Sequence, residues 1–163
     1  MARAKFSIIC VLILVCSAFV FSSAVAARDR VRISGLQDIQ FGSLGTGGDA
    51  LEARSVCAFS STNLAGYTIT AFGSGLLGAF EMNGSGSTIP IDVFWSDRAN
   101  QTSGTLLSPN SQSQAFYSDA IHQRCNRGPS STASLILRIR ENAIQSAPAG
   151  LYSGTINLIV APL

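Results

Sequence analysis

Few side chains in this sequence are of types that could carry out chemistry. The chain has a single histidine, His122, and it lies three residues before Cys125. A cysteine–histidine pair can form an activated nucleophile, but only if the two side chains are aligned. At this spacing in a segment of weak periodicity nothing aligns them, and an oxidised Cys125 is not a nucleophile. The sequence therefore predicts no catalytic residue, and His122 is interpreted as a loop residue.

The carboxylates and the remaining polar residues do not form a site either. Asp92, Asp97 and Asp119 are scattered, whereas a glycosidase needs two carboxyl groups about 5–10 Å apart across a cleft. Asp92 falls on the polar face of a predicted strand and is expected to be solvated. Trp95 shares its parity with neighbouring apolar residues and is expected in the core. We predict no metal and no cofactor, since two cysteines without a histidine cluster do not make a metal site.

The first residues have the organisation of a secretory signal peptide. Arg3 and Lys5 precede an apolar run from Phe6 to Phe21, and small residues follow it. Cleavage after Ala26 or Ala27 would remove residues 1–27 and leave a single mature domain, residues 28–163. A retained membrane anchor is the alternative, but the run is near the lower limit of about 17–20 residues for a spanning helix. We expect no membrane association of the mature form.

The predicted mature chain has balanced charge and two cysteines. Its 9 basic residues, all arginine, match its 9 acidic residues, so the basic patch that a nucleic-acid partner would require is not expected. Cys57 and Cys125 remain after cleavage. In an exported chain this pair is expected to form one disulfide, with a metal site as the weaker alternative.

Apolar residues alternate with polar ones along most of residues 28–163, which is the pattern of half-buried β-strands. The first strand is expected to run from "VRIS" through "LQDIQFGSL", with a kink at Gly35. Eight or nine short strands separated by turn residues predict an all-β antiparallel sandwich. The one weak helical candidate is residues 109–125. The other strand candidates are "RSVCAFS", "GYTITAFGS", "LLGAFEMNG", "IPIDVFWSD", "SGTLLS", "SQAFYS", "ASLILRIR" and "AGLYSGTINLIVAPL".

Four stretches, taken in order, resemble the spore coat protein U domain, the pilin-like domain of archaic (Csu-type) chaperone–usher fimbriae of Gram-negative bacteria. They are "ISGLQDIQFGSLG", "SVCAFSS" continued by "GYTITAFGSGLLGAFEMNG", "IPIDVFWSD" and "AGLYSGTINLIVAP". The entry "AG-x-Y-S-G" into the last apolar strand is the most distinctive element, and the two cysteines also fit this family.

The resemblance implies an immunoglobulin-like sandwich that lacks its seventh strand. A periplasmic chaperone would first fill the resulting groove, and the N-terminal strand of a neighbouring pilin subunit would then replace it at the outer-membrane usher. The resemblance also implies that residues 149–163 form one wall of this acceptor groove, with the first strand opposite. The predicted acceptor groove consists of Val31, Ile33, Ile39, Phe41, Tyr152, Ile156, Leu158 and Val160.

The predicted mature N-terminus departs from the family pattern. Only Arg28, Asp29 and Arg30 would precede the first strand, so there is almost nothing to donate. This predicts a tip, end or minor subunit of a cell-surface fimbria that serves adhesion or biofilm formation. Two other classes remain open. One is a self-complete secreted sandwich that binds a carbohydrate or a protein, with a seventh strand from "SGTLLS" or "SQAFYS". The other is a small secreted enzyme.

Overall fold

The computed structural model describes residues 29–45 and 47–163. The predicted signal peptide and its cleavage point lie outside these residues. Within them, no helix is both long enough and apolar enough to span a bilayer.

The described chain forms an antiparallel β-sandwich, as the sequence predicts. One sheet has five strands in the order β1-β2-β9-β6-β7, and the facing sheet has three in the order β10-β3-β8. Strands β4 and β5 form a separate hairpin. The elements are β1 Val31–Ser34, β2 Ala50–Ser60, β3 Gly66–Gly73, β4 Glu81–Gly84, β5 Ser87–Pro90, β6 Asp92–Ser96, β7 Thr105–Leu106, β8 Phe116–Tyr117, β9 Ala133–Ile139, α1 Glu141–Ser146 and β10 Ile156–Pro162.

Period-two alternation explains the core. Val93 and Trp95 are fully buried, and they lie opposite Leu137 and Leu135 of the neighbouring β9. Trp95 also joins the two sheets, because its indole N–H donates a 3.1 Å hydrogen bond to the hydroxyl of Tyr67 on β3. The prediction that Trp95 belongs to the core is confirmed.

The strand order is that of an immunoglobulin-like domain. Such a domain has strands A, B, E and D in one sheet and C, F and G in the other. Here β1, β2, β9 and β6 take the places of A, B, E and D, while β3 and β10 take those of C and F. Among the described residues, none occupies the place of strand G beside β10.

The first predicted strand is shorter in the structure. Strand β1 ends at Ser34, because Gly35 adopts a φ of 81° that an extended strand does not allow. Ile39 and Phe41 nevertheless pack against the core from the irregular segment that follows. The segment "IPIDVFWSD" is also divided, since β5 ends at Pro90 and β6 begins at Asp92.

The helical prediction for residues 109–125 is wrong. The backbone N–H groups of Asn110 and Ser113 donate instead to carbonyl groups of β3, so this segment is fastened to a sheet edge. The actual helix, α1, begins at Glu141, whose N–H donates to the carboxylate of Asp49 at 2.9 Å. Because this capping residue is far away in the sequence, no local sequence pattern predicts the helix.

The predicted disulfide is present. Cys57 on β2 is bonded to Cys125, with their Cα atoms 5.8 Å apart. Cys57 faces away from the sandwich core, because its neighbours Val56 and Ala58 face inward. The bond therefore fastens the loop around Cys125 to the outer face of the five-stranded sheet, where it packs with Ala120 and Phe59.

Candidate functional site: an unpaired strand edge

The eight residues of the predicted acceptor groove share one environment. Each is half-buried and packs against the main core. Val31 and Ile33 lie on β1, and Ile156, Leu158 and Val160 lie on β10. The other three, Ile39, Phe41 and Tyr152, lie on the irregular segments that adjoin these strands. Their role in binding a partner strand stays a prediction.

The hydrogen bonds of β3 show which way the backbone of β10 is directed. On the side away from β10, the carbonyl groups of Ile69 and Ala71 accept hydrogen bonds from Ser113 and Asn110 at 2.8 and 2.9 Å. Successive residues of an antiparallel strand direct their N–H and C=O groups to opposite edges. The alternate β3 residues, Thr68, Thr70 and Phe72, therefore direct theirs toward β10.

The β10 partners of these three residues are Ala161, Ile159 and Asn157. Leu163 continues the same parity, because its N–H donates to the carbonyl of Gly66. The intervening residues therefore direct their backbone N–H and C=O groups away from β3. We call the edge formed by the backbones of Ile156, Leu158 and Val160 the open edge. Within residues 29–45 and 47–163 these groups have no hydrogen-bond partner.

Strand β1 has the same arrangement on its free side. Ser61 donates to the carbonyl of Arg30, which fixes Arg30 and Arg32 as residues whose backbones face β2. Val31 and Ile33 then direct their backbone groups outward. Strands β1 and β10 approach within 8 Å between Cα atoms. In the part of the chain that the structure describes, two strand edges with unused backbone groups therefore flank the same row of half-buried apolar side chains.

Pro162 sets a limit to the open edge. It has the parity of Val160, so its nitrogen would face outward, but proline carries no N–H. A strand that pairs with the open edge can receive N–H donors from Ile156, Leu158 and Val160, and no further donor from Pro162.

A cleft of about 520 Å³ lies where the segments that adjoin β1 and β10 meet. Ile39, Phe41 and Tyr152 of the predicted groove line it together. Met82 and Ile144 also line it, and sequence reasoning did not include them. They belong to β4 and α1, which are distant in sequence, so only the tertiary structure brings them to this cleft.

Close backbone packing explains the glycines of the distinctive segment "AGLYSG". Its backbone lies directly against the β4–β5 hairpin, where Asn83 and Ser153 exchange two backbone hydrogen bonds of 2.8 and 3.1 Å. A Cβ atom on Gly84 would overlap the carbonyl of Leu151, and one on Gly154 would overlap the carbonyl of Glu81. The glycines therefore permit two backbones to touch and fix the position at which β10 begins.

The inner face of β2 carries two charges. Ala50, Val56 and Ala58 of this strand pack in the core, and the intervening residues of the same parity are Glu52 and Arg54. These two form a 3.2 Å ion pair, with side chains 34% and 38% exposed. Strand β1 pairs only with residues 57–60 of β2, so it does not run beside this part of the strand.

Asp92 is not the solvated carboxylate that the sequence predicts. It accepts hydrogen bonds from Arg140 at 2.8 Å and from Arg138 at 2.8 Å, and its side chain is only 19% exposed. Its hydrogen bond from Arg140, followed by that from Arg138, lowers the pKa of this carboxyl group. The arginines follow the predicted outward parity of β9, and the carboxylate links two strands on the outer face of the sheet.

The other polar residues considered for chemistry remain apart from one another. Asp97 accepts a 3.5 Å hydrogen bond from the backbone of Tyr117, and His122 accepts one from the N–H of Arg124 at 3.4 Å. In the described ranges, no group of three or more histidine, cysteine, aspartate or glutamate residues could hold a metal ion. The candidate functional site is therefore the open edge together with its row of half-buried apolar side chains.

The comparisons with known proteins give only distant likenesses. No family model matches the sequence, and no curated protein matches it. Among solved structures, the chain is similar to a chain of the chaperone–tip adhesin complex of CFA/I fimbriae, with 18% identity and a TM-score of 0.47. It is also similar to a chain of the CsuC–CsuE chaperone–tip adhesion subunit pre-assembly complex from archaic chaperone–usher Csu pili of Acinetobacter baumannii, with 18% identity and a TM-score of 0.43.

These matches cover 82% and 81% of this chain, but only 41% and 39% of the two solved chains. At this identity and this TM-score they carry no argument about function. Membership in the spore coat protein U family accordingly stays a prediction.

Proposed function

We propose that this protein is a structural subunit of a surface fimbria and that it accepts a β-strand from another chain along the open edge. In this proposal a periplasmic fimbrial chaperone binds the edge first. A neighbouring pilin subunit replaces the chaperone at the outer-membrane usher. The predicted acceptor groove residues provide the pockets for alternate side chains of the incoming strand.

The observation that carries the proposal is the coincidence of two properties in the same residues. Ile156, Leu158 and Val160 direct their side chains inward and their backbone groups to the open edge. In strand addition, main-chain hydrogen bonds supply affinity and pockets for alternate side chains supply specificity. One added strand would satisfy the backbone groups and cover the half-exposed apolar row at the same time.

The cost of leaving the site unfilled favours a partner. An unpaired edge beside apolar side chains is a template for aggregation, which natural sheets avoid by charges, short edges or coverage. The three inward residues of β10 are all aliphatic, and the strand contains no charged residue. These features support an edge that is covered in its working state.

A sandwich completed from within the chain is less well supported. The two segments considered for a seventh strand, β7 and β8, pair elsewhere in the described structure. Strand β7 pairs with β6, and β8 pairs with the edge of β3 that faces away from β10.

The position in the fimbria follows from the predicted signal peptide. If residues 1–27 are removed, residues 28–30 precede β1 and are too few to form a donor strand. We therefore propose an end, tip or minor position in a fimbria of a Gram-negative cell surface, with a role in adhesion or biofilm formation. N-terminal sequencing of the secreted protein tests the cleavage, and any mature start well before Ala26 would contradict this part.

The main test is periplasmic expression of the full chain with and without an archaic-type fimbrial chaperone, followed by size-exclusion chromatography. We expect aggregation alone and a soluble one-to-one complex with the chaperone. A stable monomer in the absence of the chaperone would contradict the proposal.

Two matched variants locate the interaction on β10. Leu158→Arg places a charge on the inward face, whereas Ile159→Arg changes the adjacent side chain, which is 55% exposed. We expect loss of the chaperone complex for Leu158→Arg and its retention for Ile159→Arg. Equal behaviour of the two variants would place the chaperone away from this groove.

A backbone test does not depend on the fold of a variant. A synthetic extended peptide with alternating valine and serine is prepared in two forms, each N-methylated at alternate residues on one edge only. If the partner strand pairs with the open edge alone, one form binds and the other does not; if it pairs with β1 as well, both forms bind more weakly than the unmethylated peptide. Binding of both forms as tightly as the unmethylated peptide would exclude pairing through main-chain hydrogen bonds.

A further inference from the structure

Glu52 and Arg54 are the charged residues on the inward faces of the described sandwich strands. Elsewhere on these faces the residues are uncharged: they are apolar, carry hydroxyl groups, as in Ser60 and Tyr67, or, in Trp95, an indole N–H that donates to Tyr67. The pair is held by one nitrogen of Arg54, Nη1, which donates to Glu52 Oε2 and to the carbonyl of Ala53 at 3.0 Å. Nε and Nη2 of Arg54 and Oε1 of Glu52 have no partner among the described residues.

Covering these atoms with a purely apolar strand would be unfavourable. A polar group taken out of water without a replacement hydrogen bond destabilises a complex, and an ion pair loses its hydration when it is buried. At present about a third of each side chain is exposed, so water can satisfy the remaining donors and the acceptor. A docked strand that covers this pair has to replace that water with its own polar atoms.

We propose that the strand accepted by this protein carries a hydrogen-bonding side chain, an amide or a hydroxyl, at the inward position nearest Glu52 and Arg54, and apolar side chains at its other inward positions. This inference rests on the proposed function of the open edge. An amide fits best because it can donate to Glu52 Oε1 and accept from Arg54 at once.

The structure also indicates where along the strand this polar residue belongs. Glu52 and Phe41 line one shallow cleft, and Phe41 and Tyr152 line the adjoining larger one. Tyr152 lies just before β10 begins at Ile156. The polar position is therefore at the end of the partner strand that lies beside Ile156, and the apolar positions are those beside Leu158 and Val160.

A scan with synthetic peptides tests the inference. The parent peptide has valine at every inward position and serine at the outward ones, and each variant replaces one inward valine by glutamine. Binding to the full-length chain is measured by fluorescence anisotropy. We expect affinity to fall about tenfold or more when glutamine enters an apolar position. At the position beside Ile156, affinity should stay within about threefold of the parent or improve.

Protein variants assign the effect to the ion pair. In Glu52→Leu/Arg54→Leu, glutamine at the permissive position should cost about tenfold, as it does elsewhere. Arg32→Leu is the matched control, because it removes an exposed charge on the outer face of β1 and should leave the wild-type pattern unchanged. Trp95 fluorescence shows whether each variant is folded. If Glu52→Leu/Arg54→Leu does not fold, the peptide scan on the unaltered chain still decides whether the polar position exists.

The outcomes of this scan distinguish a failure of the polar position from a failure of the proposed strand acceptance. If no peptide binds, strand acceptance itself is wrong. If the parent binds and glutamine is equally harmful at every inward position, strand acceptance stands and the polar position does not exist. If glutamine is tolerated beside Ile156 equally in wild type and in Glu52→Leu/Arg54→Leu, the ion pair is not its cause.

Discussion

The hydrogen bond between Trp95 and Tyr67 provides a sharp test of how the two sheets are held together. Both residues are fully buried, and the phenol accepts a hydrogen bond from the indole N–H. Burial disfavours the phenolate and raises the pKa of Tyr67 to about 12. In the unfolded chain a tyrosine titrates near pH 10. Between these values the unfolded chain has lost the proton that the folded chain keeps.

The free energy of unfolding should therefore fall as the pH rises from about 10 to about 12. With these two pKa values, the loss is about 1.4 kcal/mol at pH 11. The range from about pH 10 to about pH 12 suits this measurement because residues 28–163 contain no lysine, whose titration would otherwise overlap with that of tyrosine. Arginine stays charged throughout this range.

Urea unfolding followed by tryptophan fluorescence measures this free energy, since Trp95 is the single tryptophan of the chain. Tyr67→Phe should lower stability at pH 8 by about 1–3 kcal/mol, because the buried indole N–H loses its acceptor. The same variant should lose most of the decline between pH 9 and 11. Tyr117→Phe serves as the control, since Tyr117 is 50% exposed. An undiminished alkaline decline in Tyr67→Phe would refute the assignment to Tyr67.

Three further predictions concern other parts of the sandwich. Replacing Cys57 and Cys125 by alanine should lower the free energy of unfolding by about 4 kcal/mol, as expected for a cross-link that spans 68 residues; no change under urea would contradict it. Gly154→Ala should lower the melting temperature because its Cβ would overlap the Glu81 carbonyl, whereas Gly45→Ala, whose Cβ would meet no described atom within 4 Å, should not. The pKa of Asp92 is lowered in the folded chain, so its contribution to stability is present above about pH 4 and is lost as the pH falls through the folded pKa. Asp92→Asn should flatten this acid dependence, and an unchanged acid limb in the variant would speak against the ion pairs.

The sequence predicted the central strands well, for a physical reason. Strands that bury one face must alternate apolar and polar residues, and the segments around Val93, Leu137 and Leu158 show this alternation plainly. The inward parity of β10 follows from the same rule. The sandwich fold could be predicted because the alternation recurs in several short segments separated by turn residues.

Other features depend on contacts that no local pattern reveals. Helix α1 is capped by the distant Asp49, and residues 109–125 are extended because β3 accepts their hydrogen bonds. The direction of the open edge depends on the register between β10 and β3. The inward position of Glu52 and Arg54 could have been found by counting back from Val56, but the predicted strand began only at Arg54.

Strand β10 divides its residues between two surroundings. Ile156, Leu158 and Val160 serve the interior and the open edge together, so almost any change there alters both packing and pairing. Asn157 and Ile159 present their side chains to solvent while their backbones are committed to β3. Substitutions of Asn157 and Ile159 would therefore change the solvent-facing surface of β10 without altering its inward face. Along β10, we expect substitutions between related sequences to concentrate at every second residue, on the solvent-facing side.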